Sequence, residues 1–301
     1  MATAGAETSE LPIGVFDSGV GGLTVLSALR KRLPRERYIY LGDTARLPYG
    51  TKSRETIVRY ALQAAEKLVE RRIKLLVTAC NTATAAALPD LRQAFAPLTV
   101  IGVVEPGARA ACRVIAGKKE GGNILILGTE STVDGQAYTE AIHALRPDAV
   151  VRGVACTLFV SMAEEGWMTG PVIEITAARY LAPVIGPEAG QGRFLPDCIV
   201  LGCTHFPPLA GAVASVAGPE PVIIDSAETT AEAVEEELTR LNLLRPAGGP
   251  EDTPASDRFL TTDAPERFAR VGGIFLNECL DPANVELVSL SFNPQTGPSA
   301  A

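Results

Sequence analysis

Short apolar runs and longer amphipathic stretches alternate along most of this chain, and the alternation predicts its elements. The apolar runs predict β-strands at residues 11–16, 37–41, 75–79, 98–103, 124–127, 149–155, 198–201 and 222–224. Helical periodicity predicts α-helices over residues 22–33, 55–71, 158–165, 171–185 and 226–241, with others ending near residue 95 and starting near residues 105 and 132. Strands that alternate with helices form parallel sheets, so the sequence predicts an α/β protein.

The order of these elements favours two similar three-layer α/β domains with mostly parallel sheets. The first domain would combine residues 1–104 and 212–301 and carry Cys80, and the second would comprise residues 105–211 and carry Cys203. A cleft between two domains is a common place for a small ligand, so we expect the active site in that cleft.

Two cysteines lie in similar local sequences, in residues 75–82 and 199–205. In each segment an apolar run leads through a small residue to the cysteine, which polar residues follow. This pattern predicts a thiol at the carboxyl end of a strand and the start of a helix, where α/β proteins place their chemistry. Because a helix start stabilises a thiolate, we expect a pKa somewhat below the ordinary value of about 8.5.

The pairing of the two thiols decides between classes of chemistry. A single reactive thiol would suggest a protease, amidase or transferase with a covalent intermediate. Two thiols that face one carbon from opposite sides suit the inversion of a stereocentre, which needs a base on one face and an acid on the other.

Composition and charge exclude several classes of protein. The net charge of -8 and the pI near 5.0 argue against nucleic acid as the main ligand. No apolar stretch approaches the roughly 20 residues of a membrane span, and the first residues do not resemble a signal peptide, so we expect a cytoplasmic protein. The 6 cysteines are too scattered for a disulfide scaffold or a zinc site, which predicts reduced thiols and no bound metal.

Two further segments carry candidate ligand contacts. The glycine-rich turn at residues 17–22 could hold an anion with its backbone amides, although the same glycines suit a plain strand-to-helix turn. Within it, Asp17 could orient or deprotonate a neighbouring thiol. The loop at residues 43–50 presents Tyr49, which could pack or contact a substrate.

Taken together, these motifs resemble the glutamate racemase family, within the wider aspartate/glutamate racemases. The resemblance extends from about residue 13 to about residue 287. The matching segments are residues 13–25, 48–50, 79–83, 164–166 and 201–207, in the family's order. The N-terminal tail and a loop at residues 247–257 look like additions to the family pattern.

The resemblance implies a racemase that needs no cofactor and interconverts L- and D-glutamate, supplying D-glutamate for peptidoglycan. Cys80 and Cys203 would be the two catalytic acid/bases, assisted by Asp17 and His205 respectively. The neighbour of His205 would be Glu164, with Glu165 as the alternative. The substrate-binding residues that the resemblance implies are Asp17, Ser18, Tyr49, Gly50, Asn81, Thr82, Thr132, Thr204 and His205.

The resemblance also implies a small-molecule substrate and a homodimer. The lack of an apolar stretch of membrane-spanning length predicts no membrane association. Two alternatives remain open from the sequence. The protein could racemise aspartate or another acidic amino acid instead. It could also be a module that binds an amino acid or regulates a partner without turnover.

Overall fold

The computed structural model describes residues 8–119, 121–186, 192–246 and 257–290. The first part of the N-terminal tail and nearly all of the loop expected at 247–257 lie outside the described residues. Among the described helices, none is both long and apolar enough to cross a membrane.

The described strands form two sheets in which every pairing is parallel. The strands are β1 (Ile13–Asp17), β2 (Tyr38–Gly42), β3 (Leu75–Thr78), β4 (Thr99–Gly102), β5 (Asn123–Gly128), β6 (Val150–Ala155), β7 (Cys198–Gly202), β8 (Val222–Asp225), β9 (Arg258–Thr261) and β10 (Val285–Leu287). The first sheet has the order β10-β9-β2-β1-β3-β4, and the second has the order β6-β5-β7-β8. We call the six-stranded sheet with its helices the first domain, and the four-stranded sheet with its helices the second domain.

Helices connect these strands, as the alternating pattern predicts. They are α1 (Leu23–Arg32), α2 (Arg54–Val69), α3 (Asn81–Ala94), α4 (Val104–Val114), α5 (Glu130–Asp134), α6 (Ala137–Leu145), α7 (Thr157–Glu164), α8 (Pro171–Ile185), α9 (Ala210–Ala217), α10 (Ser226–Leu241) and α11 (Pro265–Leu276). Helix α2 illustrates why they form: the Ser53 hydroxyl caps its start, and its apolar stripe, including Ile57 and Leu68, is buried.

Each sheet is covered by helices on both faces, which confirms the three-layer prediction. In β1, Val15 and Phe16 point to opposite sides and join different hydrophobic clusters. In β5, Leu125 and Ile126 do the same for the second sheet. Strands that are buried on both faces read as continuous apolar runs, and this is why the sequence shows them so clearly.

One predicted boundary is wrong. The strand at 222–224 was expected to complete the first domain, with residues 212–301, but β8 pairs with β7 of the second sheet, Cys198 opposite Val222. The short helix α9 makes a compact crossover that returns the chain beside the strand it left, as sequential β-α-β units usually do. The chain re-enters the first domain later, through α10 and then β9, which pairs with β2.

Candidate active site

A cavity of about 260 Å³ lies where the carboxyl ends of β1, β3, β5 and β7 face one another. Both domains contribute to its walls, as predicted for a cleft between domains. Its lining consists of Ser18, Gly19, Leu47, Pro48, Tyr49, Gly50, Thr51, Cys80, Asn81, Thr82, Thr129, Glu130, Thr157, Val160, Ser161, Glu164, Cys203, Thr204 and His205.

Cys80 lies between β3 and α3, as the sequence predicts. Its sulfur accepts a hydrogen bond from the Ala83 amide at 3.4 Å and the thiol donates to the Ser18 hydroxyl at 3.4 Å. Burial, followed by the nearby Asp17 carboxylate, raises the pKa of the Cys80 thiol to about 12. The expectation of a lowered pKa is therefore wrong for Cys80, because desolvation outweighs the helix-start amide.

Asp17 ends β1 and is completely buried. One carboxylate oxygen accepts the Gly19 amide at 2.8 Å, while the other has no hydrogen-bond partner among the described residues. Burial raises the pKa of Asp17, against a lowering contribution from His205. Its side chain does not line the cavity, so it lies near Cys80 without the wall contact that the substrate-binding prediction requires.

Cys203 directly follows β7, and its sulfur begins a chain of polar contacts. Its sulfur lies 3.9 Å from His205 Nδ1, and His205 Nε2 lies 3.2 Å from Glu164 Oε1. Glu165, which follows the last residue of α7, is exposed. The structure therefore selects Glu164, rather than Glu165, as the neighbour of His205.

The surroundings of His205 favour its charged form. Burial acts to lower the pKa of His205, but hydrogen bonds to Cys203 and Glu164 outweigh it and raise the pKa to about 10. Burial acts to raise the pKa of Glu164, yet contacts with His205 and Arg267 hold it below its usual value. An imidazolium placed between a thiol and a carboxylate can donate a hydrogen bond to each.

Three threonine hydroxyls join the two domains at the cavity. Thr82 lies 3.1 Å from Thr129 and 3.4 Å from Thr132, and Thr129 lies 3.1 Å from Thr132. Thr132, a predicted binding residue, is buried behind the wall, whereas Thr129 lines the cavity. Thr129 follows β5 as Cys80 follows β3, so the rule that located the cysteines could have found it.

Asn81 lines the cavity and carries one side-chain donor that the described residues leave unpaired. Its Oδ1 accepts a hydrogen bond from the buried Tyr138 hydroxyl of the second domain at 2.7 Å. Its Nδ2 is buried and has no partner among the described residues. The tyrosine therefore fixes which end of the amide is free, and that end is a donor suited to a carboxylate.

Most of the predicted binding residues meet at this cavity. Those that line it are Ser18, Tyr49, Gly50, Asn81, Thr82, Thr204 and His205. Tyr49 is also buried and its hydroxyl donates to Asp43 at 2.5 Å, so it packs as one interpretation expects, while substrate contact by this residue stays a prediction. The wall from α7, with Thr157, Val160 and Ser161, was not predicted, because nothing in its apolar pattern distinguishes it from a core helix. The described residues contain no cluster of metal-ligating side chains.

The glycine-rich turn touches the Cys203 side of the site directly. A methyl group on Gly21 would overlap both His205 Nδ1 and the Thr204 hydroxyl. We expect Gly21→Ala to push the imidazole away from Cys203 and to lower kcat for turnover at this cavity roughly 100-fold. We also expect the free energy of unfolding to fall by about 1–3 kcal/mol, because the added methyl group overfills the site. Steady-state kinetics and urea unfolding test this, with Gly211→Ala on α9, where the added methyl meets nothing, as the control. Unchanged kinetics in Gly21→Ala would contradict it.

Comparisons with known proteins agree with this geometry. The family model for Asp/Glu/hydantoin racemases matches residues 22–234. The glutamate racemase of Geobacter metallireducens is 47% identical over 264 residues, which cover 88% of this chain and 92% of that protein. The structure of the Francisella tularensis glutamate racemase in complex with D-glutamate superposes with a TM-score of 0.81 at 33% identity, covering 94% of this chain and 98% of that one.

A second solved structure gives the same result. The Thermus thermophilus glutamate racemase, in complex with β-chloro-D-alanine, has a TM-score of 0.79 at 40% identity, covering 94% of this chain and 98% of that one. The two-domain fold and its cleft are those of a racemase, an isomerase that inverts a stereocentre. The chain belongs to the Asp/Glu/hydantoin racemase family.

Proposed function

We propose that this protein interconverts L- and D-glutamate by proton transfer between two thiols, without a cofactor. The observation that carries the proposal is that Cys80 of the first domain and Cys203 of the second line one small cavity. The relatives that are named glutamate racemase support glutamate as the substrate. The D-glutamate that the reaction forms would serve peptidoglycan synthesis.

In this mechanism one sulfur removes the α-proton as a thiolate while the other protonates the opposite face as a thiol. Cys80, whose pKa is about 12, begins as the proton donor. In the reverse direction Cys80 must first lose its proton, and the buried Asp17 carboxylate beside it is the available acceptor. The substrate ammonium group would bring a positive charge near both and lower the pKa of the Cys80 thiol.

The developing carbanion requires stabilisation at the substrate carboxylate. None of the described residues that line the cavity is Lys or Arg. We infer that neutral donors hold the substrate carboxylates, namely the free Asn81 amide and the hydroxyls of Thr82 and Thr129. Fixed donors in a small cavity stabilise charge without having to reorganise during the reaction.

The first test is incubation of the purified protein with L-glutamate in D2O, with chirality and α-deuteration followed by chiral chromatography and NMR. We expect conversion to D-glutamate with deuterium at the α-carbon. Aspartate in parallel tests the alternative substrate. Binding without exchange for both amino acids would reject racemisation and favour the non-catalytic module. Cytoplasmic location and a homodimer stay predictions, and sedimentation tests the latter.

A further inference from the structure

An arginine of the first domain, Arg267, forms an ion pair with Glu164 of the second domain. Arg267 lies on α11, which packs against α1 and β10 of the first domain. Its guanidinium donates to Glu164 Oε2 at 2.8 Å, while Glu164 Oε1 lies 3.2 Å from His205 Nε2. The side chains of Arg267, Glu164, His205 and Cys203 therefore form one continuous chain of contacts across the domain boundary.

Glu164 depends on this arginine for its position. Its side chain is 15% exposed and lies at the cavity wall, so a carboxylate held by only one partner could turn towards solvent. With one oxygen on His205 and the other on Arg267, both ends of the carboxylate are occupied. A carboxylate bound at both oxygens keeps a single rotamer, which fixes the direction in which it accepts from the imidazole.

Helix α11 also supports the imidazole ring itself. Phe275 packs edge-on against His205, with ring centroids 5.3 Å apart and an angle of 85° between the planes. Phe275 and Arg267 lie on the same helix, so one element fixes the plane of the ring and, through Glu164, its hydrogen bond. The charged or titratable groups that face His205 are Cys203 directly after β7, Glu164 from α7 and Asp17 from the end of β1.

We propose that Arg267 is a positioning residue for proton transfer by Cys203, because it holds Glu164 against His205 from the opposite domain. The inference rests on the proposed racemisation only for its effect on rate. The Arg267 guanidinium bonds to Glu164, and the Arg267 side chain is 47% exposed. Its replacement should therefore leave the fold intact.

The direct test measures the titration of His205 by NMR. The chain contains only 2 histidines, so a His143→Gln spectrum assigns both imidazole signals. In Arg267→Gln we expect Glu164 to leave the imidazole and the pKa of His205 to fall by roughly one unit, towards the value in Glu164→Gln. The double variant should titrate as Glu164→Gln does, since the effect passes through that carboxylate.

The sign of the shift decides between positioning and simple charge. Arg267→Lys should restore most of the wild-type titration, and Arg270→Gln, an exposed arginine one turn further along α11, should leave it unchanged. If Arg267 acted only as a distant positive charge, its removal would raise the pKa of His205. A rise, or no change, would overturn the proposal.

The kinetic test is separate from the question of substrate. In Arg267→Gln we expect kcat/KM to fall roughly tenfold and the alkaline limb of the pH profile to move to lower pH, because the imidazolium is lost sooner. A purely structural defect would lower the amplitude and leave the limb in place, which would count against positioning. If the wild type fails to exchange the α-proton of glutamate but the NMR shift occurs, the substrate proposal fails and the positioning of His205 stands.

Discussion

Replacing either Cys80 or Cys203 with alanine is expected to abolish racemisation, with a loss of roughly 10³-fold or more in kcat/KM. Each variant retains one thiol and its neighbours. A single thiol can remove an α-proton and return a deuteron only on its own face. We therefore expect each variant to exchange the α-proton of one enantiomer in D2O without inverting it, and the two variants to choose opposite enantiomers.

The measurement is NMR of α-proton exchange for L- and D-glutamate with both variants, beside chiral analysis of the product. The equilibrium constant between enantiomers in achiral solvent is one, so kcat/KM for racemisation must fall equally in the two directions. Only exchange can therefore reveal which face each thiol serves. Cys279→Ala, at an exposed cysteine, is the control and should behave as wild type. Exchange of the same enantiomer by both variants would refute the opposed arrangement.

The second large effect concerns stability, at a lysine far from the cavity. The Lys74 side chain is fully buried, lies 2.6 Å from Glu36, and donates to the Ser9 and Leu243 carbonyls at 2.7 and 2.8 Å. Lys74→Met leaves the Glu36 carboxylate buried without its cation. We expect the free energy of unfolding to fall by about 3–5 kcal/mol, because the buried carboxylate keeps its desolvation cost, loses its cation and retains the Arg245 amide, at 2.9 Å, as its partner.

Urea unfolding of Lys74→Met tests this prediction. The matched control is Arg54→Met, which removes an ion pair with Asp90 whose partners are 61% and 37% exposed, and which should cost at most about 1 kcal/mol. The double variant Lys74→Met/Glu36→Leu should recover part of the loss, since it removes both charges together. A loss below about 1 kcal/mol in Lys74→Met would contradict the prediction.

The parts of the site that the sequence predicts are those built from local sequence. Cys80 and Cys203 each follow an apolar run, and the run, the small residue and the helix start are all visible in the chain itself. Each therefore lies at the carboxyl end of a strand, one in each sheet, and the strands within one sheet share a direction. The same reasoning places Asp17 near Cys80, although burial then puts its carboxylate outside the wall of the cavity.

The parts that the sequence does not predict depend on contacts between distant segments. The sheet to which residues 222–225 belong is set by which edge is free, and no periodicity encodes this. Strand β9 and helix α11 were not predicted, and Arg267 and Phe275 reach His205 only because α11 packs on the first domain. The raised pKa of Cys80 likewise results from tertiary burial, which outweighs the local effect of the helix start.

The two walls of the cavity are chemically unlike, although both carry a thiol. Cys80 has a buried carboxylate behind it, whereas Cys203 has an imidazole supported by Glu164. Because the two thiols have different neighbours, the L and D enantiomers meet different surroundings on the face from which the proton is removed. Turnover number and apparent affinity can each differ between the L and D forms while their quotient stays equal. After each turnover the thiol and the thiolate have exchanged places, and the protein is in the protonation state that binds the product. At high substrate concentration, the proton exchange that restores the starting state would therefore limit the cycle.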